Sequence, residues 1–261
     1  MSAAGRRAAF LNEMGVGPLW VRRDQAAPAS MPLQSVEPAE PAVLDAPAAS
    51  PMPNQAEQSM AAPSAPDVAQ MDWRQLKAAV SDCTKCGLCR GRTRTAFGVG
   101  DEKASWLFIG EGPGRNEDLQ GEPFVGQAGK LLDNMLLAMG LRRGDNAYIA
   151  NIVKCRPTGD NGRDRPPAPE ETAACLPYLE RQIALIQPDV IVALGKTAAL
   201  SLLGLDPDTP VSRLRGSVHR YADRPLIVTY HPAYLLRNLA DKKKAWADLC
   251  LAMATHAGLA R

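Results

Sequence analysis

The chain has 261 residues, 46% hydrophobic and 22% charged, with a formal net charge of +2, enough for one substantial domain with segments to spare. It has no run of about 18 apolar residues, which speaks against a transmembrane helix, and its first residues lack the apolar stretch and cleavage site of a secretory signal. The near-neutral total conceals an asymmetry. Residues 1–73 carry 4 Lys/Arg against 8 Asp/Glu, and residues 74–261 carry 26 against 20. A mildly acidic leader before a basic body is compatible with a nucleic-acid partner.

At the start of the chain, Phe10, Leu11, Met14, Leu19 and Trp20 lie between the pairs Arg6–Arg7 and Arg22–Arg23. A short helix ending at Gly15, then an apolar strip, reads as a docking peptide over 1–24. Gln25 to Gln70 holds 13 Ala and 9 Pro among 46 residues, with no Lys, Arg, Phe, Trp or Tyr. Such a segment cannot bury enough apolar surface to offset its ordering entropy, so 25–71 is expected to be a disordered linker. The folded domain is expected over 72–261.

Six cysteines stand at 83, 86, 89, 155, 175 and 250. Without an export signal they point to a metal or cluster site rather than to disulfides. The run Cys83-x2-Cys86-x2-Cys89, joined by Cys155 and Cys175, suits a site of four thiolates. Zinc and iron–sulfur use the same ligands, and spacing does not choose between them. Cys250, in an amphipathic last helix, reads as a structural thiol.

From Ser105 onward strands and helices alternate. Strands are expected at Trp106–Ile109, Ala147–Asn151, Asp189–Leu194 and Leu226–Tyr230, and helices at Gln127–Met139, Glu170–Ile186, Lys196–Leu203 and Ala240–Ala257. This implies an α/β fold: three layers, α/β/α, around a central, mainly parallel four-stranded sheet. Ligands of such sheets bind beyond the carboxyl ends of the strands. Four polar segments fall there: the glycine-rich turn Gly110–Asp118, then Asn151–Arg156, Leu194–Lys196 and His231–Asn238. The turn fits neither a P-loop nor a dinucleotide fingerprint, and a plain strand–loop turn is its bland alternative. His231 is the one histidine of three placed at a strand's carboxyl end, where a neutral imidazole could hydrogen-bond an oxyanion. Tyr234, Leu235 and Leu236 follow, readable either as a base-stack wedge or as the first turn of a core-facing helix.

In this order, Cys-Thr-Lys-Cys-Gly-Leu-Cys, Gly-Glu-Gly-Pro-Gly, Gly-Glu-Pro-Phe-Val-Gly-Gln-Ala-Gly, Asn-Ile-Val-Lys-Cys-Arg-Pro, Leu-Gly-Lys-Thr-Ala and His-Pro-Ala-Tyr-Leu-Leu-Arg resemble the family-4, iron–sulfur uracil-DNA glycosylases. The resemblance runs from about Asp82 to Leu249. It implies a monofunctional DNA-repair hydrolase that releases uracil from single- or double-stranded DNA and leaves an abasic site. It implies a [4Fe–4S] cluster on Cys83, Cys86, Cys155 and Cys175, with Cys89 to spare. It implies a uracil pocket of Gly112, Phe124, Asn151 and His231, with DNA contacts from Arg156, Tyr234, Leu235, Leu236 and Arg237. Where a related family carries a water-activating aspartate this chain has Gly112. Catalysis is therefore expected from His231 with Glu111 and Asp118, ahead of Glu117. The enzyme is expected to be a monomer, cytoplasmic and nucleoid-associated. The first residues resemble a clamp-loader psi-subunit peptide, which implies tethering to replication machinery. A polymerase-associated iron–sulfur protein that binds nucleic acid without turnover is the alternative. An electron-transfer protein ranks last, because its cysteines would be more compact.

Overall fold

A computed structural model describes residues 67–259; the docking peptide and most of the expected linker lie outside the described residues. Asp67–Gln70, expected as linker, instead opens the fold. Asp67 caps a turn of 3-10 helix at Val68–Gln70, Met71 is buried, and Arg181 Nε donates to the Met71 carbonyl at 2.6 Å. Helix α1 (Trp73–Ser81) follows, entered through a reciprocal capping box between Asp72 and Gln75.

The sheet contains six strands, β1 (Val99–Gly100), β2 (Trp106–Gly110), β3 (Ala147–Asn151), β4 (Val190–Leu194), β5 (Val218–Tyr221) and β6 (Arg224–Thr229), in the order β1-β3-β2-β4-β6-β5. The four expected strands form its parallel centre. The correction is at the edges, where β1 runs antiparallel to β3 and β5 antiparallel to β6. Residues of β2, β3 and β4 are buried throughout, as both faces of a parallel sheet require.

Alternate side chains of each strand enter different cores. Leu107, Ile109, Tyr148, Ala150, Ile191 and Val228 pack on α1, α4 (Pro169–Ile186) and α5 (Lys196–Leu203). Trp106, Phe108, Ile149, Val192 and Ile227 pack on α3 (Gln127–Ala138) and α8 (Lys242–Leu259). The described residues thus form a three-layer sandwich. Two short helices, α2 (Arg115–Gln120) and α7 (Pro232–Arg237), stand beyond β2 and β6, and a third, α6 (Val211–Leu214), precedes β5. No described helix is long and apolar enough to cross a membrane.

Candidate active site at the carboxyl ends of the strands

Beyond β2, β3 and β6 opens a cleft of about 660 Å³ whose lining includes Glu111, Gly112, Phe124, Asn151, His231, Tyr234 and Arg237. The parallel register brings Gly110 beside Asn151, so the glycine-rich turn and the asparagine leave the sheet together. Glycine at three positions makes the room. A Cβ on Gly110 would lie 2.5 Å from both Asn151 Oδ1 and Phe124 Cζ, one on Gly129 would lie 1.8 Å from the Phe124 carbonyl oxygen, and one on Gly195 would lie 2.9 Å from His231 Cβ. The pocket wall is therefore backbone where any side chain would displace a functional group.

Phe124 holds a left-handed backbone, φ 56°, a conformation that costs a bulky residue about 1–3 kcal/mol. Arg143 offsets this by donating to the Pro123 and Phe124 carbonyls at 2.9 and 2.8 Å, with its Nε on Asp133. Sequence reasoning missed Arg143, and nothing in its local sequence signals the role.

His231 caps α7, its Nδ1 accepting the Ala233 N–H at 3.1 Å. An Nδ1 that accepts carries no proton, so the neutral ring bears its hydrogen on Nε2. Burial first, then the positive charge of Arg237, pulls its pKa down to about 4, with Glu117 opposing. At neutral pH the ring is therefore an uncharged donor. It lies 5.5 Å from the Phe124 ring, tilted by 29°.

Asn151 is 1% exposed and its Oδ1 is buried with no hydrogen-bond partner. Buried acceptors are rarely left so. The atom fits a ligand that brings a donor.

Glu111 accepts a short hydrogen bond from the Thr197 hydroxyl, and burial pushes its carboxyl pKa upward against that bond. Thr197, on α5, is a partner that sequence reasoning did not name. Gly112 has no room for an aspartate, since a Cβ would meet Val153 Cγ2 at 2.8 Å. Glu117 Oε1 accepts from the Val125 and Gly126 N–H groups at 2.9 and 3.0 Å, which pins the segment after Phe124.

Other expected residues are placed differently. Asp118 is buried and accepts from the Thr93 N–H at 2.8 Å; it does not line the cleft, so it acts as a loop tie. Leu235 is 1% exposed and belongs to a small core with Tyr230 and Ala245, because α7 turns that position inward. Tyr234 stacks on Tyr230 at 4.9 Å and donates to Asp241 at 2.7 Å. Of the three wedge residues only Leu236 stands out, 41% exposed. Arg156 is paired to Asp164 at 2.6 Å, within its own loop.

A second cavity is lined by Cys83, Cys86, Cys89, Cys155 and Cys175 together with Arg92 and Lys154. All the cysteines but Cys250 meet there, and no carboxylate lines it. Burial raises the thiols of Cys86 and Cys155, and pushes Cys175 up to about 11. Arg92 answers by donating to Cys155 Sγ at 3.4 Å and to the Cys83 carbonyl at 2.6 Å, and the Lys154 N–H donates to Cys175 Sγ at 3.3 Å. An all-sulfur donor set with cationic support fits a soft metal centre. Among the described residues, no three metal-ligating side chains stand at the spacing of a closed metal site.

The model of the Uracil DNA glycosylase superfamily matches residues 97–250. A type-4 uracil-DNA glycosylase of Archaeoglobus fulgidus is 49% identical over 163 residues, covering 60% of this chain and 79% of that protein. One from Thermotoga maritima is 45% identical, covering 62% and 82%. One from Sulfurisphaera tokodaii is 44% identical, covering 63% and 76%.

Proposed function

Because this chain belongs to the Uracil DNA glycosylase superfamily, among its type-4 enzymes, we propose that it excises uracil from DNA through the cleft just described. It hydrolyses the N-glycosidic bond of deoxyuridine and leaves an abasic site. The observation that carries the assignment of the pocket is the unpartnered Oδ1 of Asn151. Uracil offers N3–H to that oxygen, and its O4 can accept from the same amide. Cytosine offers an acceptor at N3 and a donor at N4, so both groups would be left unpaired, a mismatch costly enough to discriminate strongly.

The base must leave the stack to arrive there, and Leu236 is the apolar tip exposed to fill its place. Phe124 supports the extruded ring by stacking. As the glycosidic bond breaks, negative charge grows on uracil O2, and His231 Nε2–H is the preorganised donor for it. A neutral imidazole suits this work, since its N–H is too weak an acid to surrender its proton and stays a donor to the departing base. Glu111, with one oxygen held by Thr197, keeps the other to accept from the attacking water.

Cys83, Cys86, Cys155 and Cys175 would hold a [4Fe–4S] cluster, which when bound would supply a cross-link joining the segment before β1, the loop after β3 and helix α4. Arg92 and the Lys154 amide balance its thiolates. Cys175→Ser should abolish absorbance at roughly 400 nm and lower the melting temperature by on the order of 10 °C, both read on purified full-length protein. Gly110→Ala should slow uracil release by roughly 100-fold, because an ångström of misplacement at reacting groups costs that much. Single-turnover rates measure it, with circular dichroism to check the fold.

The reading is tested by incubating the protein with a uracil-containing oligonucleotide and cleaving abasic sites with alkali. Cleavage is expected for uracil and not for thymine. No cleavage with either single- or double-stranded substrate overturns it, and would favour a nucleic-acid-binding protein without turnover.

A further inference from the structure

Lys154 is 1% exposed, as buried as any aliphatic residue of the core. Its Nζ donates to the Asn151 carbonyl at 2.9 Å and to Gln182 Oε1 at 2.6 Å. Gln182, fully buried on α4, is held in turn by donating to the Phe97 carbonyl at 3.0 Å. A buried ammonium carries a heavy desolvation penalty, and a fold that needed only volume here would be better served by an apolar side chain. Its two hydrogen bonds must therefore do something an apolar residue cannot.

What it does is visible at the sheet edge. Strand β1 covers β3 only opposite Tyr148 and Ile149. The Ile152 N–H turns toward β2, to the Gly110 carbonyl at 2.9 Å, so the Asn151 carbonyl before it faces the other way, past the end of β1. An unpaired carbonyl buried there would cost free energy and leave its peptide free to tilt. The Lys154 ammonium donates where a further strand would have done.

We propose that Lys154 is the positioning residue of base recognition: by anchoring the Asn151 carbonyl from behind, it fixes the peptide from which the uracil-reading amide projects. The inference rests on the uracil reading of the cleft. Its mechanism is geometric, with the two hydrogen bonds of Nζ setting the direction of the Asn151 side chain.

The test uses full-length wild type, Lys154→Met, Gln182→Leu and Gln182→Glu, the last keeping an acceptor for Nζ. Single-turnover uracil release and inhibition by free uracil are measured, alongside affinity for an undamaged oligonucleotide. Lys154→Met is expected to slow release roughly tenfold and to weaken free-uracil inhibition by a similar factor, the loss of one charged hydrogen bond. Affinity for undamaged DNA should hold, which a general loosening of the fold would not allow. A folded Lys154→Met protein matching wild type in both uracil readouts overturns the inference. Should that variant not fold, Gln182→Glu near wild type with Gln182→Leu impaired supports it, and equal behaviour of the two overturns it. A wild type that releases no uracil sinks the function reading and this inference together; an active wild type with an indifferent Lys154→Met sinks this inference alone.

Discussion

His231→Ala should lower the single-turnover rate of uracil release by roughly 100-fold, the usual consequence of deleting one preorganised donor to a developing oxyanion. Binding of uracil-containing DNA should change far less, because the donor acts most strongly once the bond is breaking. The same substitution has a second signature. The His231 pKa is held at about 4 in the folded chain, against about 6.5 for an unfolded histidine. Between those values the unfolded state binds more protons, so stability is complete above about pH 6.5 and falls as pH drops through about 4. The alanine variant lacks this group, and its stability should fall less over that window. Denaturant unfolding at pH 7 and at pH 4.5 on both proteins measures the difference. Equal acid sensitivity would mean that the ring is not held neutral by its surroundings.

Asn151→Ala should be at least as damaging and in a different way. It removes both the acceptor for N3–H and the donor for O4, so uracil loses what distinguishes it from cytosine. Release of uracil should fall by about 100-fold, and the preference for uracil over cytosine should shrink by a similar factor. The decisive measurement is the ratio of the two single-turnover rates on matched oligonucleotides. A variant that slowed but kept its preference would place base reading elsewhere, on backbone groups of the glycine turn. Because the Asn151 side chain packs against Gly110, some loss from loosened packing accompanies the loss of the amide. The ratio of rates is insensitive to that part.

The centre of the sheet was legible in the chain because strands buried on both faces must be apolar without interruption, as Trp106–Ile109 and Val190–Leu194 are. The edges were not. β1 has two residues, and the β5–β6 hairpin turns on Ala222 and Asp223, both at positive φ, where asparagine or glycine would have announced it. The site was half visible for the same kind of reason. Asn151 and His231 follow apolar runs and so declare themselves as strand-end residues. Asp118 and Leu235 were misjudged because the inward or outward sense of a short helix is set by what it packs on. Arg143 and Thr197 reach Phe124 and Glu111 across distances in sequence that no local pattern reports. Lys154 looks like any solvent-facing lysine until its burial is known.

The loop between β3 and α4 carries Arg156 paired to Asp164 and Arg165 paired bidentately to Glu171. Any DNA phosphate that reached these arginines would find them already neutralised by the protein's own carboxylates. Phosphates gripped by such pre-formed pairs release few condensed counterions, since the cation is not new to its partner. The loop would therefore add little salt dependence to binding. It would shape the approach to the cleft as a stiff rim, while Arg115 and Arg237 line the cleft itself.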